Sequence, residues 1–251
     1  MNEIKRRVLA VRTSKIIYRE GDTVLKVFDS DYSKADVLNE ALNQARVEET
    51  DLNIPKIQAV SVVDGKWSIT MDYIEGITLE QLMDEHPEKL DEYLELFVDI
   101  QLNIHSKRVP LLNFLIEKMN RKISAADLDA TTRYELHTRL NGMKKHIKLC
   151  HGDYNPSNVI ITADGTPYVI DWAHATQGNA AADVARTYLL FYLQGKQDVA
   201  EKYIKLFCKK SDTAIQYVQK WIPIVAASRL VKAPEEEKAF LMRWIDVVEY
   251  E

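Results

Sequence analysis

Two short β-type runs open the chain, KIIYRE at 15–20 and TVLKVF at 23–28, and the two residues between them, Gly21 and Asp22, suit a tight hairpin turn. Pairing about that turn sets Ile17 opposite Lys26, which leaves a lysine inside an otherwise apolar strand. From residue 33 to about 49 the apolar positions take helical spacing (Ala35, Val37, Leu38, Ala41, Leu42, Ala45), with Asp31 or Ser33 as N-cap, and the element stops before Pro55. A second hairpin is expected from 56–63 and 66–72 about Asp64-Gly65. The first third of the chain therefore reads as about five strands and one helix.

After Asp72 the hydrophobic period lengthens from two to 3.6. Helices are expected over 78–83, 90–105, 111–123, 130–146, 182–193, 200–208, 213–230 with a break at Pro223, and 235–249. One non-helical island, 149–172, interrupts them. Within it Asp164-Gly165 separates two β-type runs, and a two-residue turn there would set Asn158 opposite Asp171, with Cβ atoms about 5 Å apart. Two oxygen-bearing side chains so placed suit Mg²⁺, which usually takes one or two protein oxygens and fills its shell with water and substrate phosphates. Five residues before Asn158, in a loop tightened by Gly152 and Pro156, Asp153 offers a carboxylate that can accept a proton from a substrate hydroxyl.

Composition narrows the function classes. With 251 residues, 46% hydrophobic, 28% charged, and only eight Gly and seven Pro, the chain cannot be collagen-like, low-complexity or wholly disordered. A net charge of −5 gives no overall basic field, so nucleic acid is not an expected partner. Cys150 and Cys208 form no disulfide framework and no CxxC, which fits a reducing compartment. The longest apolar run is about seven residues, near 221–227, against the ~20 of a membrane span. The reading is a cytoplasmic protein with no membrane partner, and a monomer is favoured. Residues 72–99 carry ten acids against one base, Lys89, either as a solvated helical face or as a patch for a cationic substrate.

The island HGDYNPSN (151–158) followed by VIDW (169–172) resembles the catalytic and metal motifs of the aminoglycoside phosphotransferase/choline kinase family, relatives of the protein kinases. The N-terminal third agrees, with a strand lysine (Lys26), a helix glutamate (Glu40), the segment Ile54-Pro55-Lys56-Ile57, and MDYIEG at the family's hinge. The resemblance implies an α+β, two-lobed protein-kinase-like fold. An N-terminal antiparallel sheet with one helix would form a nucleotide-binding lobe (1–72), followed by a hinge (73–77) and a mostly α-helical lobe with the catalytic hairpin (78–251). It implies ATP as donor, with GTP as an alternative, and Mg²⁺ held by Asn158 and Asp171. It further implies that Lys26, paired with Glu40, contacts the α- and β-phosphates. Backbone groups near Asp72 and Ile74 would receive the adenine and Ile170 would pack beneath it, while Asp153 acts as catalytic base. His151 would brace the loop, and Asp183 would correspond to the family's buried aspartate that hydrogen-bonds that loop's backbone. The phosphate-covering turn would be Arg19-Glu20-Gly21-Asp22, which has a single glycine.

The expected reaction is phosphoryl transfer to the hydroxyl of a small molecule. Two rival readings are a protein-kinase-like enzyme acting on a peptide and a nucleotide-binding module without catalysis. The short stretch between Asp171 and the next helix, and HGD and DW in place of HRD and DFG, argue against a peptide substrate. Trp172, Trp221 and Trp244, with Tyr217, occur alongside Glu235, Glu236, Glu237 and Asp246, and such a set could cage an amine such as choline or an aminoglycoside. A sugar-like or amino-alcohol acceptor stays equally open.

Overall fold

The computed structural model describes residues 6–245. Asp246 and the expected end of the last helix at Glu249 lie outside the described residues. By proximity the chain divides into two compact units, Met1–Pro87 with Pro156–Ala175, and Glu88–Asn155 with Thr176–Glu251.

In the first unit β1 (Arg7–Arg12), β2 (Lys15–Glu20), β3 (Thr23–Phe28), β4 (Ile57–Val63) and β5 (Lys66–Asp72) form an antiparallel sheet in the order β1-β2-β3-β5-β4. Both expected hairpin registers hold: Ile17 faces Lys26, and Val63 faces Lys66 across Asp64-Gly65. Helix α1 (Lys34–Val47) packs on this sheet through Val37 and Ala41, which join Phe28, Ile69 and Met71 in a buried core. Burying such a side chain contributes roughly 1.5–3 kcal/mol, so this small core fixes the helix on the sheet.

The same unit contains β6 (Ile77–Thr78), α2 (Leu79–Glu85), and the hairpin strands β8 (Val159–Ile161) and β9 (Pro167–Val169), numbered in chain order. The three strands form a sheet in the order β6-β8-β9, which attaches the hairpin to this unit and not to the helices that flank it in sequence. Here the expected register is wrong by one residue. Val159 faces Val169, so Asn158 faces Ile170 and not Asp171, and the Ile170 N–H donates to the Asn158 carbonyl (2.9 Å). The cause is the loop: Thr162 N–H donates to Thr166 O (3.1 Å), and Gly165 takes φ +84°. This closes a three-residue turn in place of the two-residue Asp164-Gly165 turn.

The second unit is helical: α3 (Leu90–Ser106), α4 (Leu115–Ala125), α5 (Ala130–Gly142), α6 (Ala180–Leu193), α7 (Gln197–Ser211), α8 (Ile215–Gln219), α9 (Ile222–Leu230) and α10 (Glu235–Ile245). Two strands, β7 (Lys148–Cys150) and β10 (Thr176–Gly178), pair antiparallel. On α3, Leu94, Phe97, Val98, Gln101, Ile104 and His105 are buried at 3- and 4-residue spacing, the stripe that seats a helix in a core. Helix α4 starts later than expected because residue 114 is drawn into a bridge with Gln177, whose side chain also donates to Pro110 O (2.8 Å). The break expected at Pro223 falls just before it; Pro223 opens α9, where a missing N–H costs nothing. Among the described residues no helix is long and apolar enough to cross a membrane.

Candidate functional site

The first unit gathers two lysines and two carboxylates. Lys26 Nζ lies 3.0 Å from Glu40 Oε1 and 3.0 Å from Asp171 Oδ1. Lys15 Nζ lies 3.1 Å from the same Glu40 oxygen and 3.8 Å from Asp171. Lys26 and Glu40 are each about 5% exposed, depths at which an unpartnered charge costs several kcal/mol. Burial works against the Lys26 charge, but the Asp171 and Glu40 carboxylates outweigh it and hold the amine above its ordinary pKa. Lys26 is therefore a fixed cation across the physiological range.

Lys15 was missed in the sequence, although its position was legible. It faces Phe28 two residues along from the Ile17–Lys26 pair, and alternation puts Lys15, Ile17, Lys26 and Phe28 on one face of the sheet. Its amine also lies over the Phe28 ring, 5.5 Å from the centroid. The placement of Lys15 revises the reading of the turns. The Gly21-Asp22 turn lies at the sheet end where Thr23 faces Asp72, whereas Lys15 directly follows the β1–β2 turn, Thr13-Ser14. The latter turn adjoins the carboxylates; Arg19 instead lies over the Tyr73 ring at 3.9 Å.

Asn158 accepts the Ile170 N–H through its own carbonyl. Asp171 falls one residue past Ile170 and adopts a left-handed backbone, φ +64° and ψ +61°, unusual for a residue with a Cβ. Its side chain is 34% exposed, the most open of the Lys26–Glu40–Asp171 set. The donors here are an amide and a carboxylate, hard oxygens that suit Mg²⁺ and not a soft metal, so the residues fit the ion. Among the described residues no group of three or more His, Cys, Asp and Glu forms a second metal candidate.

At the other end of the sheet the Asp72 carboxylate accepts from Lys56 N–H (3.1 Å) and Gln58 Nε2 (2.8 Å), tying β5 to β4. Ile74 is half-buried in the segment that follows β5, where Tyr73 N–H donates to Asp22 O (2.9 Å). The Ile170 side chain is half-buried beside Asp171.

In the second unit the loop carrying Asp153 is held from several sides. Asp183, on α6, accepts from the N–H of His151 (3.0 Å) and of Gly152 (2.7 Å), while His105 Nε2 lies 3.1 Å from it. Burial raises the Asp183 pKa, but the His105 hydrogen bond and charge and the loop N–H groups bring it below the ordinary value. Gly152 sits at φ +79°, a conformation that strains any other residue. Asp153 N–H donates to His151 Nδ1 (3.2 Å), so His151 braces the loop. The next residue, Tyr154, is 0% exposed; it stacks on Phe97 (4.3 Å between centroids) and donates to Phe97 O (2.7 Å). The Asp153 carboxylate receives Arg186 at 2.9 Å, a partner from α6 that the sequence reading did not identify.

The expected aromatic cage does not form. Trp172 and Trp221 are both 0% exposed, and Trp172 Nε1 donates to Val169 O (2.9 Å), so both rings belong to the packed interior. Trp221 also backs a pocket of ≈ 240 Å³ lined by Phe114, Lys144, His146 and Gln177, and none of the expected catalytic residues borders it. Trp244 is half-buried against Tyr188 and Tyr192, whose hydroxyls both donate to Glu201 (2.6 and 2.9 Å), while Glu235 and Glu237 pair with Lys238 and Arg229. The acid-rich stretch also finds cations: Asp91 pairs with Lys202 and Asp99 with Lys210, each at 2.7 Å. A solvated face explains it.

Comparisons with known proteins bear on the family and the fold. A family model described as phosphotransferase enzyme family matches residues 9–218. Among solved structures, the aminoglycoside phosphotransferase APH(4)-Ia is similar at 15% identity and TM-score 0.72, covering 96% of this chain and 92% of its own. The ADP-bound aminoglycoside phosphotransferase APH(2'')-Ib gives 16% identity and TM-score 0.67, covering 98% and 93%. The choline kinase LicA from Streptococcus pneumoniae gives 16% and 0.63, covering 96% and 91%. No curated protein matches the chain.

Proposed function

The chain belongs to the phosphotransferase enzyme family, and from that premise we propose that it transfers the γ-phosphoryl group of ATP to a hydroxyl of a small molecule. The observation that carries this reading is Lys26, a buried cation 3.0 Å from both Glu40 and Asp171. Such a lysine is fixed in place and charged, ready to meet phosphate oxygens. Asn158 and Asp171 would hold Mg²⁺, which when bound neutralises phosphate charge. Lys15 adds a second cation next to Asp171, and we assign it, with the β1–β2 turn, to the phosphate end of the nucleotide. Residues 1–72 would form the nucleotide-binding lobe and 73–77 the hinge, with the base received by backbone groups near Asp72 and Ile74 and packed against Ile170.

Asp153 accepts the acceptor's hydroxyl proton as the bond from that oxygen to the γ-phosphorus forms and the bond from phosphorus to the β–γ bridging oxygen breaks; the proton then passes to solvent. The loop's tethering to Asp183 and Phe97 supports this role, because a base must be held where the proton is released. Only residues 172–179 separate Asp171 from α6, too few for a peptide-docking segment, which favours a small acceptor. The test is ADP formation from ATP·Mg²⁺ with and without hydroxylated compounds, alongside thermal shift with ATP·Mg²⁺. Acceptor-dependent ADP formation supports the reading, and the lack of both nucleotide binding and ADP formation overturns it.

A further inference from the structure

The second unit contains a group of cations that the phosphate-side chemistry does not use. Lys118 and Lys122 lie one turn apart on α4, on the same face. Arg186 comes from α6 and Lys232 lies two residues past α9, which packs against both α4 and α6. Burial brings Lys118 down to a pKa of about 7, with Arg186 and Lys122 adding to the fall and Asp183 and Asp153 opposing it. Lys122 is lowered by burial and then by Lys232 and Arg186. Lys118 therefore shares its surroundings with Arg186, Lys122 and the carboxylates Asp153 and Asp183, and Lys232 neighbours Lys122, while Asp183 already serves His105 and the loop N–H groups. Arg186 gives one N–H to Asp153, while its Nε is buried with no hydrogen-bond partner.

A buried donor without a partner and a set of mutually repelling cations both cost stability, and functional sites are where such costs are commonly found. A bound anion would relieve both. A cationic acceptor would add to the repulsion, and of the acids considered for it Glu235 is paired with Lys238 and Glu237 with Arg229.

We propose that the acceptor carries an anionic group, phosphate or carboxylate, besides its hydroxyl, and that Arg186, Lys118, Lys122 and Lys232 hold that group beside Asp153. The proposal deepens the phosphotransferase reading by naming its substrate class, and it rests on that reading.

The test uses two series, each on one scaffold: glycerol, glycerate, glycerol 3-phosphate and 3-amino-1,2-propanediol, and glucose, glucose 6-phosphate, gluconate and glucosamine. ADP formation is followed with each. A parallel calorimetric titration with sulfate, a dianion at all working pH values, reports the anion site without turnover. We expect turnover of an anionic member, with carboxylate and phosphate arms telling the two apart. We also expect competition by sulfate, and Lys122→Gln and Lys232→Gln should raise the acceptor KM by roughly five-fold or more with the KM for ATP unchanged. Both lysines reach the surface, so these variants should fold. Turnover of amine or neutral members alone would overturn the proposal and leave the kinase reading intact. If no member turns over, sulfate binding weakened by Lys122→Gln supports the anion site; absent binding, or binding lost with Lys26→Met and not with Lys122→Gln, overturns it. Failure to bind ATP·Mg²⁺ tells instead against the kinase reading.

Discussion

Lys26 and Lys118 are the same residue type, both drawn out of water, and they end on opposite sides of the ordinary lysine pKa. Lys26 meets two carboxylates at 3.0 Å and is held above it. Lys118 is drawn down first by burial and then by the charges of Arg186 and Lys122, with Asp183 and Asp153 only partly offsetting them, and falls to about 7. Desolvation penalises both amines, so the sign is decided by neighbours. The first environment sets the amine against opposite charge. The second sets cations beside one another, an arrangement that the proposed anion would relieve.

The largest expected effect tests the carboxylate next to the second group. Asp153→Asn should lower kcat by about 10²–10⁴-fold while the thermal shift caused by ATP·Mg²⁺ is unchanged; equal loss of both would mean that Asp153 holds nucleotide and not the acceptor proton. The lysines themselves come next. Lys26→Met should destabilise the protein by about 3 kcal/mol in urea unfolding, because it leaves Glu40 and Asp171 facing each other with only Lys15, whereas Lys118→Met should cost under about 1 kcal/mol. Equal losses would erase the contrast between the two sites.

Gly152→Ala should cost about 1–2 kcal/mol through its left-handed backbone, and the same change should slow turnover more than it weakens nucleotide binding. The smallest effect is one of pH. Lys118 sheds its proton as pH rises through about 7, with Arg186, Lys122, Asp183 and Asp153 as the charges around it, so sulfate affinity should fall between about pH 6.5 and 9. Calorimetry should find that slope flattened in Lys118→Met. The sign for stability is opposite in the two lysines. A lowered amine penalises folding below its folded pKa, and the penalty fades as pH climbs toward the ordinary lysine value. A raised amine such as Lys26 contributes fully below that ordinary value and is lost only as pH passes through its folded pKa.

Much of this was legible in the sequence, and the failures have physical causes. The Gly21-Asp22 and Asp64-Gly65 hairpins formed in the expected register because both close with two residues. Asp164-Gly165 looks the same as a dipeptide, yet Thr162 and Thr166 close the loop one residue further out, which no local pattern distinguishes. Lys15 could have been found by carrying the alternation two residues further. Arg186 could not: it lies 33 residues from Asp153, and only the packing of α6 against the loop brings them together. The tryptophans misled because large aromatics serve cores as readily as binding sites, and burial decided for the core at Trp172 and Trp221.

The three-residue turn at 163–165 has a consequence for which changes this chain can absorb. Surface loops ordinarily accept insertions, since each added residue costs little entropy. Here, with strand positions alternating between faces, one residue gained or lost at the tip would walk Asp171 to the opposite face of the hairpin, away from Lys26. A change of two residues would keep the alternation. The tip should therefore tolerate wide variation in which residues occupy it and almost none in the parity of their number.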